Sequence, residues 1–400
     1  MPEAVIVSTA RSPIGRAMKG SLIECRPDDL AATIVKAALA KVPQLDPNTV
    51  QDLLLGCGEP AGESGFNIAR VVAILAGMPD VPGVTVHRYC ASSLQTIRMA
   101  FHAIKAGEGD VFVAGGVETV SRYMYGMSDS GPHNEAFAQA EARTAEQAKG
   151  ATSWEPAPGL PDIYIAMGQT AENVRLAEHI GRREMDEFAA LSQQRAVNSQ
   201  QNGFFEREIT SITTPSGKVV TRDDGPRPGT TVEKLAELQP VFRPNGEVTA
   251  GNSCPLNDGA AAVIVMSDSK ARELGITPLA RIVSSGVSAL NPEIMGLGPV
   301  GASRQALARA GMAINDIDLV EINEAFAAQV IPSARYLDIP WDKLNVNGGA
   351  IALGHPFGMT GARIMTTLLN GLKTANKTFG LETMCVGGGQ GMAMIVERLS

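Results

Sequence analysis

Two glycine-rich stretches near the end of the chain hold the residues whose chemistry stands out. Asn345 to Arg363 reads NVNGGAIALGHPFGMTGAR and Met384 to Met392 reads MCVGGGQGM, so His355 and Cys385 each sit in a turn dense in glycine. Glycine frees the backbone to bend and lets a substrate approach it closely. Backbone N–H groups bared in such turns can stabilise a negatively charged oxygen. A base, a thiol and exposed amides are the parts of acyl-transfer chemistry, provided a second nucleophile exists, and Cys90 is the candidate. It follows VTVHRY and precedes ASSLQTIRMAFHAIKAG, whose apolar spacing at Leu94, Ile97, Phe101 and Ile104 is helical. A cysteine at a helix N-terminus feels the positive end of the dipole, so the Cys90 pKa is expected below the free value of about 8.5, favouring the reactive thiolate.

Taken singly, each residue also has a plainer meaning. Most cysteines are buried structural thiols, a lone histidine is usually a satisfied core or surface residue, and a strand-end cysteine such as Cys385 is more often inert. His355 stands among five glycines between positions 348 and 361, and Pro356 fixes the chain direction after it. Asn323-Glu324-Ala325-Phe326 ends the apolar run IDLVEI, and ligands gather at the carboxyl ends of strands in α/β sheets. Alternatively, Asn323 or Glu324 caps the helix AFAAQVIPSARYL, and both can hold.

The elements that must position these residues repeat. EAVIVSTARSP near the start reads as a strand entering a turn, and so does LARIVSSGVSA at 279–289. The first is followed by the helical run DDLAATIVKAALAKV and then VQDLLLGCG; the second by GASRQALARAGM and then IDLVEINEAF. The Cys90 stretch leads to DVFVAGGVE, and the His355 stretch leads to GLETMCVGGGQGMAMIVE. Alternating strand and helix patterns mark α/β layers, and the pairing of runs marks a diverged duplication. Two related halves would bring the Cys90 and His355 turns close together at a pseudo-two-fold. Residues 121–245 break the pattern with SWEPAPGLPD and DDGPRPG among helical runs, which predicts an inserted lid. The expected division is 1–120 plus 246–277 for the first half, 121–245 for the insertion and 278–400 for the second half.

Four hundred residues exceed one ordinary core. A composition of 44% apolar and 19% charged residues is globular rather than disordered. Lys+Arg of 34 against Asp+Glu of 42 gives −8 with no basic run, which argues against nucleic acid as a partner. Five cysteines, widely spaced and without C-x-x-C, suit free thiols in a reducing cytoplasm rather than disulfides or a zinc site. MPEAVIVSTARSPIGR lacks a cationic segment followed by an apolar core, and no run is apolar enough to span a membrane, so a cytoplasmic protein is expected.

Cys90, the NEAF turn, GHPFG and CVGGGQG, in this order on a duplicated α/β chain, resemble the thiolase family. The resemblance covers essentially the whole chain and extends to STARSPIGR at 8–16, AGGVETVSR at 114–122, MGQTAENV at 167–174 and VTAGNSCPLNDGAAA at 248–262. It implies duplicated halves in an α-β-α-β-α layering with an inserted loop domain. It also implies a two-step reaction on coenzyme A thioesters, which cleaves 3-ketoacyl-CoA or condenses two acetyl-CoA through an acyl-cysteine. His355 would take the proton of Cys90, and Cys385 would move the α-proton. The N–H groups of Cys90 and Gly387 would form one oxyanion hole, and His355 with a water held by Asn323 the other. Arg227 and Lys234 would contact CoA, Met167 and Phe326 would line the thioester pocket, and Cys254 would stand beside the pantetheine arm. CoA is then a substrate, no prosthetic group or metal is required, and a homodimer or homotetramer is expected.

Three positions depart from the family pattern. Ser93 replaces a usual glycine beside the nucleophile, Cys254 replaces a serine, and Ala166 replaces the histidine of short-chain biosynthetic members. A thiol is a weaker hydrogen-bond partner than a hydroxyl, and the room left at Ala166 leans towards longer acyl chains and degradation. Two alternatives compete. A ketoacyl-synthase-like enzyme would carry a second histidine where Cys385 stands. A non-catalytic acyl-CoA or lipid-binding protein would not need Cys90, Asn323, His355 and Cys385 together. A dinucleotide fold is poorly supported, because neither AGGVE nor VGGGQG gives a G-x-G-x-x-G opening a helix.

Overall fold

In the computed structural model, which describes residues 2–400, the same strand order is built twice. The first half contributes β1 (Ala4–Arg11), α1 (Pro27–Ala40), β2 (Asp52–Gly56), α2 (Ile68–Leu75), β3 (Gly83–Val86), α3 (Ser92–Ala106) and β4 (Val111–Thr119). Two helices of the following segment matter for the site, α4 (Met167–Ala177) and α5 (Arg182–Gln201). Then come β5 (Asn257–Ser267), β6 (Ala280–Ala289), α6 (Gly298–Ala310), β7 (Leu319–Ile322), α7 (Ala327–Tyr336), α8 (Ala350–Leu353), α9 (Thr360–Ala375), β8 (Phe379–Val386) and β9 (Gln390–Arg398).

The ten-stranded sheet runs β7-β8-β9-β6-β1-β5-β4-β2-β3, with the short strand Gly15–Arg16 added on β5. Reading outward from the middle, β1-β5-β4-β2 and β6-β9-β8-β7 have the same order and the same directions: antiparallel, antiparallel, parallel. The duplication inferred from sequence is thus visible as topology; β3 is the extra strand of the first half. The two half-sheets join through β1 and β6, where Val5 faces Arg281 and Ile6 faces Ala280.

Three apolar cores separate the layers, because each half-sheet is buried on both faces. Ile34, Val35, Ile68 and Val72 of α1 and α2 pack on one face of the first half with Val7 and Ile264. Ile97 and Ile104 of α3 meet Ile364, Met365 and Leu368 of α9 in the middle, with strand residues of both halves such as Val263 and Met394. Ala302 and Ala306 of α6 and Val330 and Ile331 of α7 cover the far face with Ile322 and Ile395. The helices that follow Cys90 and His355 therefore lie side by side in the central layer. No helix among the described residues is long and apolar enough to cross a membrane.

Candidate active site

The chain leaves β3, makes one tight turn at Tyr89–Ala91 and enters α3. Tyr89 takes φ 40, a left-handed conformation that costs energy in a bulky residue. Ser92 braces the turn: its hydroxyl accepts from the Arg88 N–H at 2.9 Å and donates to the Tyr89 carbonyl at 2.7 Å. Cys90 is thereby presented at the head of the helix, where the backbone N–H groups of Gly387 and of Cys90 itself favour its charged form. The expectation of a depressed pKa is corrected here. Burial pushes the Cys90 thiol up to about 12, and the two N–H groups only partly offset it. Desolvation of a full charge outweighs two backbone dipoles, so the resting nucleophile is a thiol and needs a base.

His355 follows α8 through Gly354, whose φ is +114 and where a Cβ would fall 2.5 Å from the Asn257 amide carbon. Only glycine fits, and the fit serves the histidine, because the Asn257 amide oxygen accepts the His355 N–H at 2.9 Å. The ring is fixed from both ends. Nδ1 lies 2.6 Å from the Thr360 hydroxyl, and that hydroxyl donates to the Pro356 carbonyl at 2.7 Å. Its single proton being used, Thr360 must accept from Nδ1–H. Nε2 therefore carries the lone pair, and Asn323 Nδ2 donates to it at 3.3 Å. Burial, helped by the Arg363 charge, lowers the His355 pKa to about 3, so the ring is neutral and able to take a proton.

Cys385 lies at the end of β8, fully buried, just before the turn Gly387-Gly388-Gly389. Burial first, then the neighbouring thiols of Cys90 and Cys254, raise its pKa well above the ordinary value. Cys254 is tied to the NEAF turn by its N–H to the Ala325 carbonyl at 3.0 Å, and its thiol too is raised by burial and by Cys90. The three sulfurs thus lie near one another, and the NEAF turn that holds Cys254 also carries Asn323, which is bonded to His355. Met167 and Phe326 join the same apolar cluster as Cys385, and the Met167 sulfur comes within 3.8 Å of where a Cβ on Gly387 would stand. The Asn323 oxygen has no protein donor, which leaves it free to hold a substrate group or a water.

The structure does not bring Arg227 and Lys234 to the sulfurs. Arg227 borders a separate hollow of about 570 Å³ between α5 and the 227–233 loop, its N–H donating to Gln193 at 2.8 Å. Lys234 Nζ donates to the Gly229 carbonyl at 2.8 Å within that loop. Just before this loop the chain adjoins α8, since a Cβ on Gly225 would meet the Ala352 carbonyl at 2.2 Å.

Asn323 and Glu324 do not cap the helix behind them: Phe326 occupies the cap position of α7 without a side-chain bond. Buried Glu324 instead accepts from the Ser192 hydroxyl, Asn345 Nδ2 and the Ile351 N–H, joining α5 and α8 behind Asn323. Sequence reasoning missed Thr360, Asn257 and Glu118. Thr360 lies five residues after His355 and was readable as its partner. Asn257 and Glu118 carry no local signal. Glu118 accepts from the N–H groups of Gly58, Glu59 and Gly358 and from the Tyr123 hydroxyl, fixing the loop just beyond His355, and burial raises it to about 7.

The chain has known relatives over its whole length. The thiolase N-terminal domain model matches residues 4–269 and the thiolase C-terminal domain model matches residues 276–398. The chain belongs to the thiolase family. It is 44% identical to the 3-oxoadipyl-CoA/3-oxo-5,6-dehydrosuberyl-CoA thiolase of Escherichia coli and 45% identical to a 3-ketoacyl-CoA thiolase of Aeromonas hydrophila, each over 100% of both chains. Among solved structures it resembles the acetyl-CoA acetyltransferase of Bacillus anthracis, with a TM-score of 0.84, 38% identity and coverage of 100% of this chain and 99% of that one.

Proposed function

We propose that this thiolase cleaves 3-ketoacyl-CoA with free CoA, and runs the reverse condensation, through an acyl group carried on Cys90. The observation that carries the assignment is that Cys90 lies close enough to Cys254 and Cys385 to raise both thiols, while the NEAF turn that holds Cys254 through Ala325 also holds the neutral His355 through Asn323. His355 Nε2 takes the Cys90 proton as the sulfur attacks the keto carbon. Nε2–H then becomes a donor, and with a water on Asn323 it holds one oxyanion, while Cys90 N–H and Gly387 N–H hold the other. The bond between the α-carbon and the keto carbon breaks, its electron pair stays on acetyl-CoA as an enolate, and the Cys385 thiol protonates that carbon. CoA then enters, gives up its thiol proton to the Cys385 thiolate and takes the acyl group, and the departing Cys90 thiolate recovers its proton from His355 Nε2. In synthesis the CoA that leaves as Cys90 is acetylated takes the Cys385 proton; the Cys385 thiolate then takes the α-proton of a second acetyl-CoA, and that carbon attacks acetyl-Cys90, whose released thiolate recovers its proton from His355.

CoA is a substrate in this scheme, and no metal or prosthetic group has a step. Its nucleotide end lies over Arg227 and Lys234 on the inserted segment 121–245, with the halves 1–120 plus 246–277 and 278–400 supplying the reacting groups. Cys254 borders the pantetheine arm, and Met167 and Phe326 line the thioester pocket. A homodimer or homotetramer in the cytoplasm suits the unpaired outer edge of β3 and the exposed Phe66, Met124 and Tyr125.

Ala166, which precedes α4 and the pocket residue Met167, leaves room for substrates longer than acetoacetyl-CoA. CoA-dependent cleavage is expected for several 3-ketoacyl-CoAs, with kcat/KM higher for longer chains. A marked preference for acetoacetyl-CoA would reverse the chain-length assignment, and no cleavage of any 3-ketoacyl-CoA would remove the activity.

A further inference from the structure

Ser93 is the departure in sequence that the reaction scheme leaves unused. It is fully buried on the first turn of α3, three residues after Cys90. Its hydroxyl oxygen accepts the N–H of Ala362 at 2.9 Å. That N–H belongs to the first turn of α9, where helix donors have no partner within their own helix. α9 carries no capping side chain of its own: Met359 stands at the cap position without a side-chain bond. Ser93 therefore caps, from one half of the molecule, the helix of the other half.

The space for this bond is built. A Cβ on Gly116 would come within 2.8 Å of the Ser93 Cβ and 1.8 Å of the Gly358 carbonyl, so β4 must be bare where Ser93 and the GHPFG loop cross it. A Cβ on Gly361 would meet the Leu94 N at 2.3 Å, so α3 and α9 touch backbone to backbone at this level. Ser93 supplies the one side-chain bond between the head of α3 and the N–H of Ala362. The first residue of α9 is Thr360, the hydroxyl that fixes the His355 ring through Nδ1.

We propose that Ser93 is a positioning residue that couples the nucleophile to its base. Anchoring Ala362 holds the first turn of α9 against the head of α3. That turn holds Thr360, and Thr360 holds Nδ1–H so that Nε2 points to Asn323. The same bond thus sets both the placement of the imidazole relative to Cys90 and its tautomer. Ser93 touches no reacting atom, and its effect runs through Thr360. This rests on the assignment of Cys90 and His355 as nucleophile and base.

The test compares the wild-type protein with Ser93→Ala, and with Ser93→Gly should the alanine variant fail to fold. Two readouts are taken. Single-turnover acylation by acyl-CoA reports on chemistry, and ¹⁵N-histidine NMR reports on the His355 ring nitrogens without any substrate. A misplaced catalytic group costs roughly 10- to 100-fold. The expected result is an acylation rate lower by about that factor per folded molecule, KM for acyl-CoA changed by less than about threefold, and His355 moving from a single Nδ1–H tautomer to mixed, faster-exchanging signals. A lower melting temperature with unchanged His355 signals and an unchanged rate per folded molecule would make Ser93 merely structural and overturn the proposal. The outcomes separate cleanly: wild-type protein that never acylates refutes the parent assignment, while the His355 signals still decide whether Ser93 holds the ring.

Discussion

Replacing His355 by alanine is expected to lower the rate of Cys90 acylation by roughly 10²–10⁴-fold, the usual range for loss of a general base. The reason lies in the resting protonation states. With the Cys90 thiol near 12 and the His355 ring near 3, the pair is thiol plus neutral imidazole, not an ion pair. At pH 7 a thiol of pKa about 12 is ionised in only about one molecule in 10⁵, so removal of its proton must accompany the attack. The pH dependence carries the clearer signature. Neither group titrates between about pH 5 and 9, so the wild-type acylation half-reaction should be flat there. In His355→Ala the only route is the spontaneous thiolate, whose population grows tenfold per pH unit below its pKa. The variant rate should therefore climb with pH across that window. Stopped-flow acylation over pH 5–9 reads both; a wild-type profile that itself rises tenfold per unit would show that the thiol ionises without help.

The second large effect concerns Cys385. Cys385→Ala should retain acylation of Cys90 yet lose exchange of the α-protons of acetyl-CoA with deuterium from solvent, and with it overall turnover. Cys385 is fully buried and lies close enough to Cys90 for that thiol to raise its pKa, which suits a group that moves one proton to or from carbon. Alanine keeps the small volume and removes only the titratable group, so the substrate still binds. Exchange at the wild-type rate in this variant would assign the proton step to another residue, and loss of Cys90 acylation would show that the two sulfurs do not have separate tasks.

Much of this was readable from local pattern. Alternating and helical spacings located β1, α1, β6 and α6 because each buries one stripe or face against a neighbour, and glycine density singled out His355 and Cys385. What was not readable depends on residues far apart in the chain. The Cys90 pKa was misjudged because a helix terminus is visible locally, whereas the burial that overrides it appears only once the chain is folded. The N–H of His355 is held by Asn257, nearly a hundred residues away, and the loop after it by Glu118. Asn323 looked like a cap from its place before a helix, but its amide turns to His355 instead. Ser93 stood out as an unusual residue, and its partner Ala362 could be found only by folding the two halves together.

The central claim is that one sulfur carries the acyl group. Wild-type protein incubated with acyl-CoA, quenched in acid and mapped by peptide mass spectrometry should show a single acyl group on Cys90, and Cys90→Ala should show none. An acyl group on Cys385 or Cys254 instead, or turnover of the Cys90→Ala variant at the wild-type rate, would contradict it.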